Sequence, residues 1–327
     1  MKAYIARRVL YMLLLLVMAS VVAFAVITLP PGDYLTSYIM QLKAQGHDVG
    51  AEQVAALERQ YGLDQPVYVQ YFKWAVRFVQ GDMGRSFWWN RPVKEIIGER
   101  LAMTVVVSFG ALIVTYAVAI PIGIYSAVKQ YSLGDYIFTI IGFAGISIPN
   151  FLLALVLMMF AYRQFGISVG GLFSPEMREA PWGWPKFLDM LVHLPVPLLV
   201  IGLAGTASLI RIMRAMLLDE LHKPYVQTAR AKGVKETKLL FKYPIRVALN
   251  PIASTIGWTL PGIFSGSTIV AIVLDLPTIG PVLFNALLTQ DMFLAASTVM
   301  VTVALTLIGT LLSDILLVWL DPRIQYT

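Results

Sequence analysis

One carboxylate stands clearly inside an apolar run: Asp314, in TLLSDILLVWLDP. An ionisable group within a membrane-type segment is a functional candidate by default, because its charge is costly there. A lone carboxylate of this kind could relay protons. Asp314 lies under two turns from the end of its run, near enough to water or a basic partner for a structural role, and that role is the preferred reading. A proton-coupled carrier should hold several such groups near mid-membrane, and none can be placed there. Three histidines, His47, His193 and His222, lie in separate segments, which disfavours a histidine metal site. There is no cysteine, so thiolate catalysis, zinc–thiolate sites and disulfides are excluded. No G-x-x-x-x-G-K-[ST] cradle for nucleotide phosphates, no H-E-x-x-H and no G-x-S-x-G elbow occurs. Ser147, in GISIPN, has no base near it in sequence, and Pro149 beside it marks a kink, since proline removes a helix hydrogen bond. What remains is PYVQTARAKGVKETKLLFKYP, Pro224–Pro244, a strongly basic stretch between two very apolar segments.

The elements that would position this stretch follow from composition. The 327 residues are 58% hydrophobic and 13% charged, too few charges for an ordinary soluble domain, where about 25% is usual. A membrane-crossing helix needs about 20 mostly apolar residues. Six stretches qualify: Val9–Leu29, Leu101–Val128, Tyr136–Tyr162, Met190–Ile210, Val247–Leu274 and Phe293–Leu320. The fourth contains His193, Pro195 and Pro197, residues unusual in a regular span. The first resembles a signal peptide in its Lys2, Arg7 and Arg8 and in AFA at Ala23–Ala25, but its apolar run exceeds a signal core, so it is read as a retained anchor.

Basic residues sort by loop, which sets orientation and weakens a nucleic-acid reading of the net charge of +6. The segment Arg211–Arg246 holds Arg211, Arg214, Lys223, Arg230, Lys232, Lys235, Lys238, Lys242 and Arg246 against Asp219, Glu220 and Glu236. Lys2, Arg7, Arg8, Lys129 and Arg323 fall on the same side, and the segments of the other side are balanced or acidic. Six spans with both termini cytoplasmic fit this asymmetry. The long outer segment reads as a helix over Ala51–Gln60, a stop at Gly62 and an amphipathic helix near Val67–Val79. The rings of Tyr68, Tyr71, Phe72, Trp74 and Phe78 suit either a membrane interface or packing on neighbouring spans. Trp88, Trp89, Trp182 and Trp184, also in outer segments, are read as interfacial anchors before sugar-stacking platforms.

Within the basic stretch, Pro224 suits a first helical turn, Tyr225–Lys232 forms a helix, and Gly233 takes a left-handed cap without strain. Lys235–Lys242 forms a second short helix with Leu239, Leu240 and Phe241 as its apolar stripe, ended by Pro244. An ordinary basic loop explains the charge. A docking element explains the charge and the helix–glycine–helix shape together.

YVQTARAKGVKETKLLFKYPIRVALNP resembles the cytoplasmic loop of ABC-importer permeases, whose loose signature is E-A-A-x-x-x-G. Gln227, Thr228 and Ala229 stand at the E-A-A positions and Gly233 at the glycine, a departure similar to the oligopeptide and dipeptide branch. YIARRVLYMLLLLV, YGLDQPVYVQYFKW, GDMGRSF, LPTIGPVLFNALLTQD and DPRIQY resemble the corresponding regions of that branch, so the likeness covers essentially the whole chain. The resemblance implies an all-α membrane protein of six transmembrane helices with the type I ABC importer permease fold. Residues 1–30 would form the cytoplasmic tip and first span, 31–98 an extracytoplasmic helical segment, and 99–327 a five-helix permease core with the coupling loop 211–246. It implies a second homologous permease, two cytosolic ATPases and an extracytoplasmic solute-binding protein as partners in a prokaryotic cytoplasmic membrane. ATP and Mg would be bound by the ATPases, with no cofactor and no catalysis in this chain. Peptides are the implied cargo, with oligosaccharides, nickel or glutathione as alternatives in the same family. An ATP-independent secondary carrier or channel is a further alternative, disfavoured by the scarcity of mid-membrane charge.

Carried onto this sequence, the ATPase-coupling residues are Tyr225, Gln227, Thr228, Ala229, Arg230, Ala231, Lys232 and Gly233, and a bulky side chain at Gly233 should change the angle of the lever. Pathway or gate candidates are Gly262 and Gly266, which could let span five pack closely or bend, and Pro281, Phe284 and Asn285 in the outer loop Pro277–Gln290.

Overall fold

Proline and glycine placement sets most of the helix boundaries in the computed structural model, which describes residues 2–28, 65–86, 88–166, 170–266 and 268–320. Among these residues the regular structure is helical, with an isolated antiparallel bridge between Arg85 and Pro92. Among the described residues, four helical stretches are long and apolar enough to cross a membrane, in windows at Ala6–Ala25, Val93–Val128, Trp184–Leu203 and Met292–Ile315. The expected helix over Ala51–Gln60 and the terminal DPRIQY lie outside the described residues.

Helix α1 spans Lys2–Thr28 and α2 Val67–Val79, the latter starting after Pro66. Helix α3, Val93–Val128, begins well before the expected Leu101. The expected third span divides into α4, Leu133–Ser147, and α5, Asn150–Phe165. Pro149 (φ −56°, ψ 133°) is extended and offers no N–H, so the kink anticipated there is a full helix break. The expected fourth span divides at Leu194, just before Pro195. Helix α6 covers Trp184–His193, and Pro195 opens α7, Pro195–Leu221, in the first turn, where a missing N–H removes no helix hydrogen bond. Two short helices follow, α8 at Pro224–Ala231 and α9 at Glu236–Lys242. The expected fifth span is carried by α10, Pro244–Gly266, and α11, Thr268–Val273. Helices α12, Ile279–Leu288, and α13, Met292–Leu320, complete the chain.

The described residues fall into two compact units, Met1–Met103 with Thr278–Leu307, and Thr104–Pro277 with Ile308–Thr327. In the first, Phe24 of α1 packs on Tyr71 and Trp74 of α2, with ring centroids 5.5 and 5.7 Å away, and Ser20 hydrogen-bonds Tyr71 through their hydroxyls at 2.9 Å. Trp74 is buried while Tyr68 and Phe72 are exposed. The two readings of this aromatic helix therefore divide by face: one face packs on α1, and the other offers rings to the surroundings. Leu10, Leu13, Leu14, Val17, Met18 and Val21 of α1 are also exposed, an apolar surface suited to hydrocarbon.

A second cluster joins Val93, Ile96 and Ile97 of α3 to Ile279, Val282 and Ala286 of α12 and Leu294 of α13. The turn from α12 into α13 runs through Gln290, whose φ of 54° allows Asp291 N–H to reach Ala286 C=O and Gln290 N–H to reach Leu287 C=O. Asp291 is 0% exposed. Its carboxylate accepts the Leu294 N–H at 3.2 Å as the cap of α13, the Ser86 hydroxyl at 2.5 Å and the Trp88 N–H at 3.2 Å. One side chain thus caps a helix and fastens the segment around residue 86 to it. Asp291→Asn should lower stability by about 1–2 kcal/mol, the scale of a weakened charged hydrogen bond. Ser86→Ala should do less, because the carboxylate keeps its backbone donors. Thermal unfolding of the purified protein checks the order.

In the second unit, a core of Ala119, Met213, Leu217, Ile245, Ala248 and Ile252 joins α3, α7 and α10. Thr115 Oγ1 of α3 donates to Gly202 C=O of α7 at 3.1 Å, and the Tyr116 and Thr255 hydroxyls meet at 2.6 Å between α3 and α10. Helix α4 is held to α7 by Arg214, whose Nη2 and Nε donate to Asp135 at 2.9 and 3.1 Å. Between α5 and α7, the 170–193 segment is tied to the end of α11 by Gly171 N–H to Leu274 C=O at 2.6 Å and by Arg178 to Asp275 at 3.0 Å. Lys186, buried there, donates to the Arg178 and Ala180 carbonyls and lies against the Phe173 and Trp182 rings. Trp182 therefore has a packing role within the chain.

Candidate functional site

The basic stretch folds as a knuckle between two long helices of the second unit. Helix α7 ends at Leu221, Lys223 is extended (ψ 147°), and Pro224 opens α8 in its first turn. Helix α8 stops in a complete Schellman motif: Gly233 at φ +74°, Gly233 N–H to Arg230 C=O at 3.0 Å, and Val234 N–H to Ala229 C=O at 3.3 Å. Helix α9 then runs to Lys242, and Pro244 both ends it and begins α10. The knuckle has two buried feet, Val226 and Leu239, each 0% exposed. Of the expected apolar stripe on α9, Leu239 is buried, Leu240 half-buried against the core of the unit, and Phe241 exposed.

Polar contacts stiffen the corner. Arg230 Nη2 and Nε donate to Glu236 Oε1 at 2.6 Å and Oε2 at 3.2 Å, a bidentate staple across Gly233. Both side chains are about half exposed, so the pair adds little to overall stability, but it links α8 to the start of α9 across the corner. The Arg230 guanidinium holds the Glu236 carboxyl below its usual range. A carboxyl depressed in this way stabilises the fold above its ordinary titration range and loses that effect as pH falls through its lowered one, so the staple is intact at neutral pH. The Tyr225 hydroxyl donates to Glu220. Burial, then the Glu220 carboxylate, pushes that hydroxyl up to about 12, and it stays a donor through the neutral range. Gln227 Nε2 donates to His222 C=O at 3.2 Å, and Thr228 Oγ1 to Pro224 C=O at 2.8 Å.

Of the eight expected coupling residues, Ala229 is half-buried and the others are exposed, all on α8 or its C-terminal cap. The Arg230 charge is engaged by Glu236. Lys232, Lys235 and Lys238 are exposed and enter no ion pair among the described residues, so they carry the outward charge. The Glu236 partnership was readable in principle, because Arg230 and Glu236 flank Gly233 symmetrically. At Gly233 a Cβ would meet nothing within 4 Å, so the constraint there is backbone conformation and not space inside the chain.

The gate candidates fall on separate units. Gly262 lies within α10, and among the described residues a Cβ there would meet nothing within 4 Å. Gly266 is the last residue of α10. Pro281, Phe284 and Asn285 lie on α12, which buries Ile279, Val282 and Ala286 and leaves Phe284 and Asn285 exposed on another face. Asp314 is half-buried on α13. Among the described residues no cluster of histidine, cysteine, aspartate or glutamate could hold a metal.

Residues 119–326 match the family described as binding-protein-dependent transport system inner membrane component, and residues 1–108 match its N-terminal companion. The chain is 34% identical to the oligopeptide transport system permease protein AppB of Bacillus subtilis, over 100% of both chains. It is 30% identical to the oligopeptide transport system permease protein OppB of Mycobacterium tuberculosis, over 99% of both. It is 28% identical to the dipeptide transport system permease protein DppB of Alkalihalophilus pseudofirmus, over 100% of both.

Proposed function

Because the chain belongs to the family of binding-protein-dependent transport system inner membrane components, we propose that it is one of two related permeases forming the pathway of an ATP-driven peptide importer. Relatives named for oligopeptide and dipeptide transport support peptides as the cargo over sugars or metal ions. The chain crosses a prokaryotic cytoplasmic membrane six times with both termini inside, a reading supported by the basic surplus of segment 211–246. Residues 1–30 form the tip and first span, 31–98 an extracytoplasmic segment, and 99–327 the permease core. Two cytosolic ATPases bind ATP and Mg; this chain binds neither and catalyses nothing. A solute-binding protein delivers cargo near Pro277–Gln290, and Gly262, Gly266, Pro281, Phe284 and Asn285 belong to the pathway and its outer gate.

The observation that carries this reading is the stapled, Schellman-capped corner on buried Val226 and Leu239. An ATPase seated on α8 pushes a lever whose root is continuous with α7 and α10, and closure of the ATPases tilts those helices. The chain, expressed with its genomic neighbours and purified through a tag, should bring an ATPase with it and support ATP-dependent peptide uptake in vesicles. Solute movement by the lone chain without ATP would replace this reading with a secondary carrier.

A further inference from the structure

A cavity of about 290 Å³ opens between α4 and α7. Phe138, Phe143 and Ile210 give it apolar walls. Its charged lining is Asp135, Arg211 and Arg214. Asp135 is taken up by the Arg214 fork and by the Tyr131 N–H at 3.0 Å, so that pair is neutral and closed. Arg211 is exposed, lies 6.0 Å from the Phe143 ring centre, and forms no ion pair among the described residues. Among the described residues the cavity therefore carries one positive charge with no paired carboxylate, beside aromatic and aliphatic walls. The same helix α4 exposes Ile137, Ile140 and Ile141, a surface suited to lipid and not to water.

The complement of such a site is an anion attached to an apolar body. On the orientation given under Proposed function, on which this inference rests, Arg211 opens the basic segment at the cytoplasmic boundary. The cytoplasmic leaflet there is anionic and draws basic side chains. A guanidinium presents its N–H fork to phosphate while its face rests on an aromatic ring, the arrangement Arg211 has over Phe143. We infer that this cavity is a headgroup site for one anionic phospholipid of the cytoplasmic leaflet, its phosphate on Arg211 and the start of an acyl chain along Phe143 and Ile140. A lipid seated there would brace α4 against α7 at the root of the lever.

The test uses the assembled transporter in phosphatidylcholine nanodiscs doped with phosphatidylglycerol, with retained lipids counted by native mass spectrometry. The wild type should retain phosphatidylglycerol in preference to phosphatidylcholine. Arg211→Gln should reduce that preference about fivefold, the effect of one basic residue at an anionic surface. Arg211→Lys should keep most of it, and Thr139→Phe, which fills the cavity without touching charge, should reduce it. Equal retention in the wild type and Arg211→Gln would overturn the proposal. Displacement of the lipid by millimolar inorganic phosphate would point to a soluble anion instead. Loss of the second permease from Arg211→Gln with lipid retention unchanged would make the cavity a protein interface. The readout involves neither ATP nor peptide, so a negative result leaves the importer reading standing, and an importer failure appears separately as absence of the ATPase.

Discussion

Gly123→Ala should cost the protein about 3 kcal/mol, Gly202→Ala less, and Gly98→Ala nothing or a gain, although each replaces glycine by alanine inside a helix. A Cβ at Gly123 on α3 would lie 2.6 Å from Met213 Cβ, 2.9 Å from its Cγ and 3.1 Å from the Ile210 carbonyl oxygen of α7. Carbon atoms rest at about 3.5–4.0 Å, and neither a carbonyl nor the first carbon of a fully buried side chain can swing aside. The two helices must part, which places the change at the top of the roughly 1–3 kcal/mol range for overpacking. Helices in lipid gain nothing from excluding water between them, so close contact carries a larger share of their association.

At Gly202 the obstacle is softer. A Cβ there would lie 2.8 Å from Thr115 Oγ1, which can rotate, though it then gives up its bonds to Ala111 C=O at 2.7 Å and Gly202 C=O at 3.1 Å. About 1–2 kcal/mol is expected, of which the interhelical hydrogen bond accounts for about 0.6. Thr115→Ala removes the nearest obstacle, leaving the Ala111 carbonyl oxygen at 3.3 Å, and should suppress most of the Gly202→Ala loss, so the double variant sits nearer to Thr115→Ala alone than to the sum of the singles. Gly98 has nothing within 4 Å of a Cβ, and alanine is the better helix former by up to about 1 kcal/mol. Unfolding temperatures of the purified variants decide the matter. Equal losses at the three glycines would mean that close approach of α3 and α7 does not hold the unit together.

These glycines also show where sequence reasoning stops. Gly98, Gly123 and Gly202 look alike in the sequence, and the difference lies in what faces them from another helix. Local signals did better. The limits of α2, Val67–Val79, and the helix–glycine–helix of the knuckle follow from Pro66, Pro224, Gly233 and Pro244, because each acts through its own φ or its missing N–H. Pro195 was harder, since the same ring either breaks a helix or opens one, and it opens α7. Pairings across long stretches of chain left no local mark: Asp135 with Arg214 across 79 residues, Thr115 with Gly202 across 87, and Ser86 with Asp291 across 205. One half of the first was visible, because Ser132 and Asp135 have capping-box spacing and Ser132 Oγ does accept the Asp135 N–H, at 3.3 Å.

At Gly233 the expected order of ATP-coupled uptake is glycine, then asparagine close behind, then alanine, with tryptophan far below. The position sits at φ +74°, and a Cβ there meets nothing within 4 Å. Every substitution therefore faces a backbone penalty, and among the described residues none meets a clash at its Cβ. That penalty is about 1–2 kcal/mol for an ordinary side chain and smaller for asparagine, whose short polar side chain bonds locally. Alanine and tryptophan should then destabilise the isolated permease by similar amounts. They part company only if the corner lies against something else. A large ring on a surface that docks an ATPase overpacks that contact by about 1–3 kcal/mol, a further loss of roughly fivefold to more than a hundredfold in affinity for the ATPase. The measurement is paired: unfolding temperature of the permease alone, then ATPase retention and uptake of the assembled system. Tryptophan matching alanine in stability and falling well below it in uptake places the corner in the contact. Tryptophan and alanine indistinguishable in both would leave Gly233 a helix cap and nothing more, and the lever would have to be sought elsewhere on the surface around Lys232, Lys235 and Lys238.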